Sequence, residues 1–291
     1  MIWIVYESGS RCGLSAQMFF TQYIKLTKST DVMYCIDIDE TFKESSRNMF
    51  NAPIKKFGED EYEFVKDFGE PYAIFPADEL TRQKAGNRVI EKSWFNSVKP
   101  EYYDKRYVNK QLDIAGLNVP KTFNCTDVFV RPNIFSAGSK GVHRLDNVCV
   151  SEFIDIDKEY VVDCFVNPAE STPIIIAREV KLHYGYDKYR RIVEDEDVIN
   201  FAKKVISNAP IGMFIGPCHM QLMRDRKGNL YYIEGSKRIS GTSLVLMNVG
   251  YNPFMLLSGM KCDIKISDEM KDWHIYEELY GKAIDLCNTK K

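Results

Sequence analysis

The sequence predicts a mixed α/β chain that carries an antiparallel hairpin in its C-terminal half. Two observations predict it. At the start, Ile2 to Tyr6 is a short apolar run, Leu14 to Leu26 carries apolar residues at helical spacing, and Val32 to Ile36 is a second apolar run. Strand, helix, strand is the opening of an α/β unit with a parallel sheet. Far downstream, Phe214 to Ser243 reads FIGPCHMQLMRDRKGNLYYIEGSKRISGTS, with polar and apolar residues alternating on either side of Arg226-Lys227-Gly228-Asn229. Alternation around a Gly-Asn turn is a hairpin signal.

Size and charge bound the function. At 291 residues the chain can bury roughly three quarters of the surface its unfolded form exposes, enough for one large domain or two to three small ones. With 39 basic against 41 acidic residues and no long run of one sign, the chain lacks the basic stripe of a sequence-independent nucleic-acid binder. Cysteines at positions 12, 35, 125, 149, 164, 218, 262 and 287 form no Cys-x-x-Cys pair, and no His is spaced to complete a zinc site. They read as reduced thiols of a cytoplasmic protein. The N-terminal apolar run has no basic region before it and is too short for a signal or a membrane span, so no membrane partner is expected.

The remaining elements follow in order. The Gly9-Ser10-Arg11-Cys12-Gly13 turn lacks Gly-x-Gly-x-x-Gly spacing, which speaks against a nicotinamide or flavin cofactor and for a turn that caps the first helix. Residues 42–70 are charged and aromatic by turns, the composition of a helix with connecting loops. Tyr72 to Phe75 reads as a buried strand ending at Pro76, and Glu79 to Lys92 as a helix with Asp78 as N-cap. A further helix starts at Asp104-Lys105-Arg106; Gly116 suits its C-terminus and Pro120 forbids continuation. Strands are predicted at Val128 to Pro132 and Ile174 to Arg178, and helices at Val198 to Ser207, Leu244 to Val249 and Pro253 to Gly259. The tail from Asp268 is amphipathic and then charged.

The hairpin carries the chemistry. Glu234 and Ser236, two apart on one strand, share a face, and the partner strand can bring Gln221 across from them. Three oxygen-bearing side chains would then converge, the ligand type of a hard cation that bridges phosphates. Arg238 falls on the same face. The same alternation also fits a solvated hairpin whose polar positions face water. Upstream, Phe135-Ser136-Ala137-Gly138-Ser139-Lys140-Gly141-Val142 is a Gly/Ser loop with a lysine, suited to close backbone approach to phosphates but without Walker spacing.

Gln221 followed by Glu234-Gly235-Ser236-Lys237-Arg238 and Ile-Ser-Gly-Thr-Ser resembles the C-terminal metal-binding signature of ATP-grasp enzymes, closest in pattern to the carbamoyl-phosphate synthase large-subunit type and its short carboxylate–amine ligase relatives. That signature runs Gln, a strand pair, then Glu-x-Asn-Pro-Arg. Ser236 at the Asn position and Lys237 at the Pro position depart from it. The resemblance extends from about Tyr103 to Met260. Asp104-Lys105 to Thr122 resembles the family's opening segment, and the Gly/Ser loop resembles its glycine-rich lid. Val150 to Asp163 resembles the hinge between the nucleotide lobes.

The resemblance implies an α/β and α+β architecture, the ATP-grasp fold with an N-terminal pre-ATP-grasp α/β domain over residues 1–100. A small lobe over 101–170 and a C-terminal lobe with the metal site over 171–291 would follow. About ten residues separate Gly141 from Glu152, where family members insert a helix, so the small lobe is expected to be trimmed. ATP would be held by Arg131, Ser139, Lys140 and Gly141 at the phosphates, by Glu152, Phe153 and Ile154 at the adenine edge, by Glu159 at the ribose, and by Arg178 as a further basic group. Gln221, Glu234 and Ser236 would hold Mg2+ or Mn2+, and Arg131 and Arg238 would fix the transferred phosphoryl group. The chemistry implied is ligation of a small-molecule carboxylate to an amine, or to a thiol, through an acyl phosphate. The rivals are a non-catalytic ATP-binding protein and a kinase on the same scaffold. No nucleic acid is expected, and the sequence leaves room for a homodimer.

Overall fold

The computed structural model describes residues 2–6, 11–37, 54–56, 72–75, 100–123, 128–130, 143–145, 150–183 and 186–288. Strands β1 (Ile2–Tyr6), β2 (Val32–Asp37), β3 (Ile54–Lys56) and β4 (Tyr72–Phe75) form a parallel sheet in the order β3-β2-β1-β4. Helix α1 (Arg11–Thr27) joins β1 to β2, as the strand–helix–strand pattern predicts. The segment 42–70 departs from expectation by contributing β3. Its two lysines mask a strand because β3 is the edge of the sheet, where charge is tolerated.

After a 3-10 turn at Pro100–Tyr103 comes α2 (Lys105–Ile114). Its N-cap is Asp104, whose side chain accepts from the Arg106 N–H, and Gly116 ends it with φ +75° while Leu117 N–H bonds back to the Leu112 carbonyl at 3.0 Å. Two short ladders follow, β5 (Thr122–Phe123) with β8 (Val150–Ser151) and β6 (Val128–Val130) with β7 (His143–Leu145).

The larger sheet is antiparallel. It contains β9 (Ile156–Val166), β10 (Ile174–His183), β11 (Tyr186–Val193), β12 (Gly216–Asp225), β13 (Leu230–Ser236) and β14 (His274–Ile275), in the order β13-β12-β9-β10-β11-β14. Between β11 and β12 lies α3 (Glu196–Asn208), capped by Asp195 and burying Val198, Ala202 and Val205. The helix expected over Leu244 to Val249 is a 3-10 helix, Ser243–Val249. Its first residue is tied sideways to Ser240 and Asp163, and it closes with a tight bond from Gly250 N–H to the Met247 carbonyl. Helices α4 (Pro253–Leu257) and α5 (Tyr276–Asn288) complete the described chain.

Strand alternation sorts the larger sheet into two cores. Tyr160, Val162, Cys164, Ala177, Met220, Leu222 and Tyr232 bury against α2 and α3. Phe165, Ile176 and Ile192 bury the other way, with residues of β1, α1, the Ser243–Val249 turn, α4 and α5. Phe254 sits centrally in this second core, with its ring 4.5 Å from Phe75, 4.9 Å from Trp3 and 5.5 Å from Phe20. Asn252 caps α4 and donates to the Phe19 carbonyl at 2.8 Å, so the N-terminal helix and the C-terminal segment are packed as one body. Cys164, Cys218 and Cys262 are free thiols. A hydrogen bond with Cys218, together with burial, pushes the Cys164 thiol well up, which leaves it a packing residue.

Candidate functional site

Register assembles the site. Across β10, β9, β12 and β13, Arg178, Val161, Gln221 and Glu234 stand in one row, and Ile176, Asp163, His219 and Ser236 stand in the next row on the same face. On the other side of the first row stand Glu159 and Met223. The hairpin therefore does bring Gln221 opposite Glu234. It does so with a bulge: Gln221 pairs with Glu234 but Leu222 pairs with Tyr232, leaving Ile233 as the extra residue. Tyr232 turns inward as a result, and burial pushes its hydroxyl pKa far up.

The turn before β13 is fixed locally. Asp225 accepts from the N–H groups of Lys227 and Asn229 at 2.9 and 2.8 Å, and the bond from the Asn229 amide helps hold its carboxyl below the usual range. Between Glu234 and Ser236 no side chain fits: a Cβ on Gly235 would lie 2.7 Å from the Phe214 ring and 2.8 Å from the Tyr232 hydroxyl. The glycine lets the strand carrying Glu234 lie against its own core.

Beyond β13 the two cations of the stretch part company. Lys237 is buried and donates to the Gly212 carbonyl, with its ammonium 5.5 Å from the Tyr102 ring centroid. At the position where the resembled signature has Pro, this lysine pins the turn that leads into β12. Arg238 donates to the Ile239 carbonyl at 3.1 Å and approaches Cys12 Sγ at 3.3 Å, while its own carbonyl meets His219 Nδ1 at 2.9 Å. Its place is thus set from α1, from β12 and from its own loop. Arg238, Ser236, Glu234 and Lys105 border a cavity of about 290 Å³ floored by Tyr102, Val108 and Met213. Lys105, the first residue of α2, is ion-paired with Glu234.

Arg178 lies deeper. It is fully buried, donating through Nε at 2.9 Å and Nη2 at 2.5 Å to Asp163, through Nη2 to Ser240 at 2.9 Å and through Nη1 to Thr242 at 2.9 Å. Ser243 donates to the other Asp163 oxygen. The network ties the centre of the sheet to the Ser240–Ser243 loop that follows Arg238. Residue types alone mark none of this. Asp163 shares the alternating face of Glu159 and Val161, and that periodicity is the one signal that could have found it.

Glu152 donates its N–H to the Lys121 carbonyl at 2.8 Å, and Glu152–Ile154 forms an extended link from β8 to β9 with Phe153 89% exposed. Glu159 is half-buried beside Met223. Arg131, Ser139, Lys140 and Gly141 lie outside the described residues, as does the predicted helix over Glu79 to Lys92.

No protein-family model and no curated protein sequence matches the chain. Solved structures do. N5-carboxyaminoimidazole synthetase from Staphylococcus aureus superposes with a TM-score of 0.56 at 13% identity, covering 90% of this chain and 77% of that one. The phosphoribosylaminoimidazole carboxylase ATPase subunit from Aquifex aeolicus gives 0.60 at 12% identity, with 92% and 84% covered. A protein from Archaeoglobus fulgidus assigned to the ATP-grasp superfamily gives 0.59 at 13% identity, covering 91% of this chain and 90% of that one. The chain has the ATP-grasp fold. The α/β and α+β organisation expected from the sequence is the organisation found.

Within the ATP-grasp fold the donor set suits a hard cation. Gln221, Glu234 and Ser236 all offer oxygen, on adjacent rows of one hairpin, with phosphate oxygens and water left to complete an octahedral shell. Glu234 is its one carboxylate. Among the described residues no cluster of three His, Cys, Asp or Glu side chains is built for a metal. No described helix is long and apolar enough to cross a membrane.

Proposed function

We propose that this chain is an ATP-dependent ligase that joins a small-molecule carboxylate to an amine, or to a thiol, through an acyl phosphate, releasing ADP and phosphate. The observation that carries this reading is the row pairing of Gln221 with Glu234, flanked by Ser236 on one side and Glu159 on the other. Two strands across and one pleat along, the Glu159 and Glu234 backbone positions are about 12 Å apart. That spacing lets one carboxylate accept the ribose hydroxyls while the other lies beside the terminal phosphates.

In the first step a carboxylate oxygen attacks the γ-phosphorus and ADP leaves. In the second the amine nitrogen attacks the acyl carbon, phosphate departs and the nitrogen loses its proton. Neither step needs a side-chain nucleophile, so positioning and electrostatics are what the protein supplies. Arg238, with Arg131, would orient the transferred group, and Lys140 with its neighbours Ser139 and Gly141 would cover the phosphates. Glu152 to Ile154 would read the adenine edge. Arg178 would serve by holding the loop that carries Arg238. Gln221 and Glu234, with Ser236 directly or through water, would hold Mg2+ or Mn2+, which when bound neutralises charge developing on the phosphoryl oxygens. Solved neighbours support the nucleotide: a carboxyaminoimidazole ribonucleotide synthase from Aspergillus clavatus at 11% identity is complexed with ATP.

Ser236 favours a second reading, a nucleotide binder without turnover, because a serine hydroxyl reaches less far than the asparagine of the resembled signature. One experiment separates the readings. Mg–ATP at a hundredfold excess over Kd should stabilise the protein by about 2.7 kcal/mol under any of them. Only a ligase should form a hydroxamate when hydroxylamine replaces the amine in a screen of amino acids and small carboxylates. ADP release stimulated by a carboxylate but without hydroxamate points to a kinase, and stabilisation without ADP release points to the silent binder.

A further inference from the structure

Three cations stand close to Glu234 in sequence or space, and two of them have other partners. Lys237 donates to the Gly212 carbonyl, and Arg238 meets the Ile239 carbonyl and Cys12 through Nη1. At the start of α2 the division is equally clear. Asp104 takes the backbone N–H of Arg106 at 2.9 Å and its guanidinium at 3.2 and 3.3 Å, while Lys105, one residue earlier, reaches across to Glu234. Lys105 is 56% exposed and the Glu234 side chain 34%, so the pair sits at the rim of the cavity and not in a core.

We propose that Lys105 is the resident counter-ion of Glu234 and makes metal occupancy conditional on nucleotide. The inference rests on the metal assignment proposed above. An ammonium and a divalent cation on the same carboxylate repel each other at contact distance, so a metal ion arriving alone must first displace Lys105. A metal ion arriving with a triphosphate brings anionic oxygens that can receive the displaced ammonium within the same cavity. The exchange costs little because the lysine is flexible and the pair half-solvated. Lys105 is therefore a positioning residue that discriminates free metal from metal–nucleotide.

The test is Mn2+ binding to the whole protein, followed by electron paramagnetic resonance without nucleotide and with a non-hydrolysable ATP analogue. Lys105→Met should bind Mn2+ alone about two- to fivefold more tightly than the parent, the range an exposed ion pair commands. Lys105→Arg should restore the parent affinity. In a Glu234→Gln background the Lys105→Met gain should vanish, and with the analogue present it should shrink or reverse. The melting temperature of each variant should stay at the parent value, since neither side chain is part of a core. Unchanged or weaker Mn2+ binding by Lys105→Met, alongside intact Mn2+–analogue binding, overturns the counter-ion role alone. So does a gain that survives Glu234→Gln. Failure of the parent to bind Mn2+ even with the analogue removes the metal assignment and this inference with it.

Discussion

Arg178 and Glu234 stand in the same row of the larger sheet, and their ion pairs do opposite things. Arg178 and Asp163 are 0% and 2% exposed and exchange hydrogen bonds with Ser240, Thr242 and Ser243 as well as with each other. Lys105 and Glu234, at the edge strand, meet only over the rim of a cavity. The first pair cannot open without stranding a charge in the interior, so it builds. The second can open into solvent, so it is available for binding. Position across four strands, with the same chemistry on both sides, separates scaffold from site.

The sharpest way to break this comparison is at Asp163. Asp163→Asn keeps the size but leaves the Arg178 guanidinium buried without its counter-charge. Removal of one partner of a buried pair typically costs about 3–5 kcal/mol. Urea unfolding should show a loss of that order, and Mg–ATP binding should fall with it because the Ser240–Ser243 loop behind Arg238 loses its anchor. A loss below about 1 kcal/mol would mean that the interior is wetter than its burial indicates, and the contrast with the rim pair would collapse.

Glu234→Gln should behave the other way round. The exposed pair with Lys105 is worth about 0.2–1 kcal/mol, so unfolding should barely move. Carboxylate-stimulated ADP release, in contrast, should fall about a hundredfold or more, as when a group that stabilises transition-state charge is removed. A variant that keeps its turnover would take the metal assignment away from Glu234, and one that unfolds would make the rim pair structural after all.

The same contrast explains what the sequence could reveal. The hairpin was legible because its signals are local: alternation over a few residues, a Gly-Asn turn, and two oxygen donors two apart on one strand. So was α2, from Asp104 at one end and Gly116 at the other. The bulge at Ile233 was not, since nothing in Tyr-Tyr-Ile-Glu distinguishes an extra residue from a paired one, yet it decides that Tyr232 and Glu234 part company. Nor was the Asp163 network. Its members are separated by up to 80 residues, and buried charge runs against the hydrophobic pattern by which cores are read. Arg178, taken from the resemblance as a phosphate contact, is a buried tie, and only long-range register shows why. Strand β3 was hidden for the opposite reason, because its lysines look like loop when the strand is an edge.

The smallest effect sharpens the comparison from within the core. Tyr160 pairs with Leu222 on the face opposite the site and is 1% exposed, and among the described residues no group bonds its hydroxyl. Burial pushes its pKa up to about 12, against an ordinary value of 10.0. A folded-state pKa above the unfolded value means that the neutral phenol is favoured in the fold. Its contribution is therefore whole below pH 10 and is lost as the pH climbs toward about 12. Replacing a buried polar atom that has no partner by hydrogen removes a desolvation cost without leaving another group unpaired, so Tyr160→Phe should be neutral or stabilising by up to about 1 kcal/mol near neutral pH. The variant should also lose part of the decline in stability between pH 10 and 12, followed by thermal melting across that range. A clear destabilisation would show that the hydroxyl is bonded through water, and that this core, like the Asp163 network on the other face, depends on a polar contact.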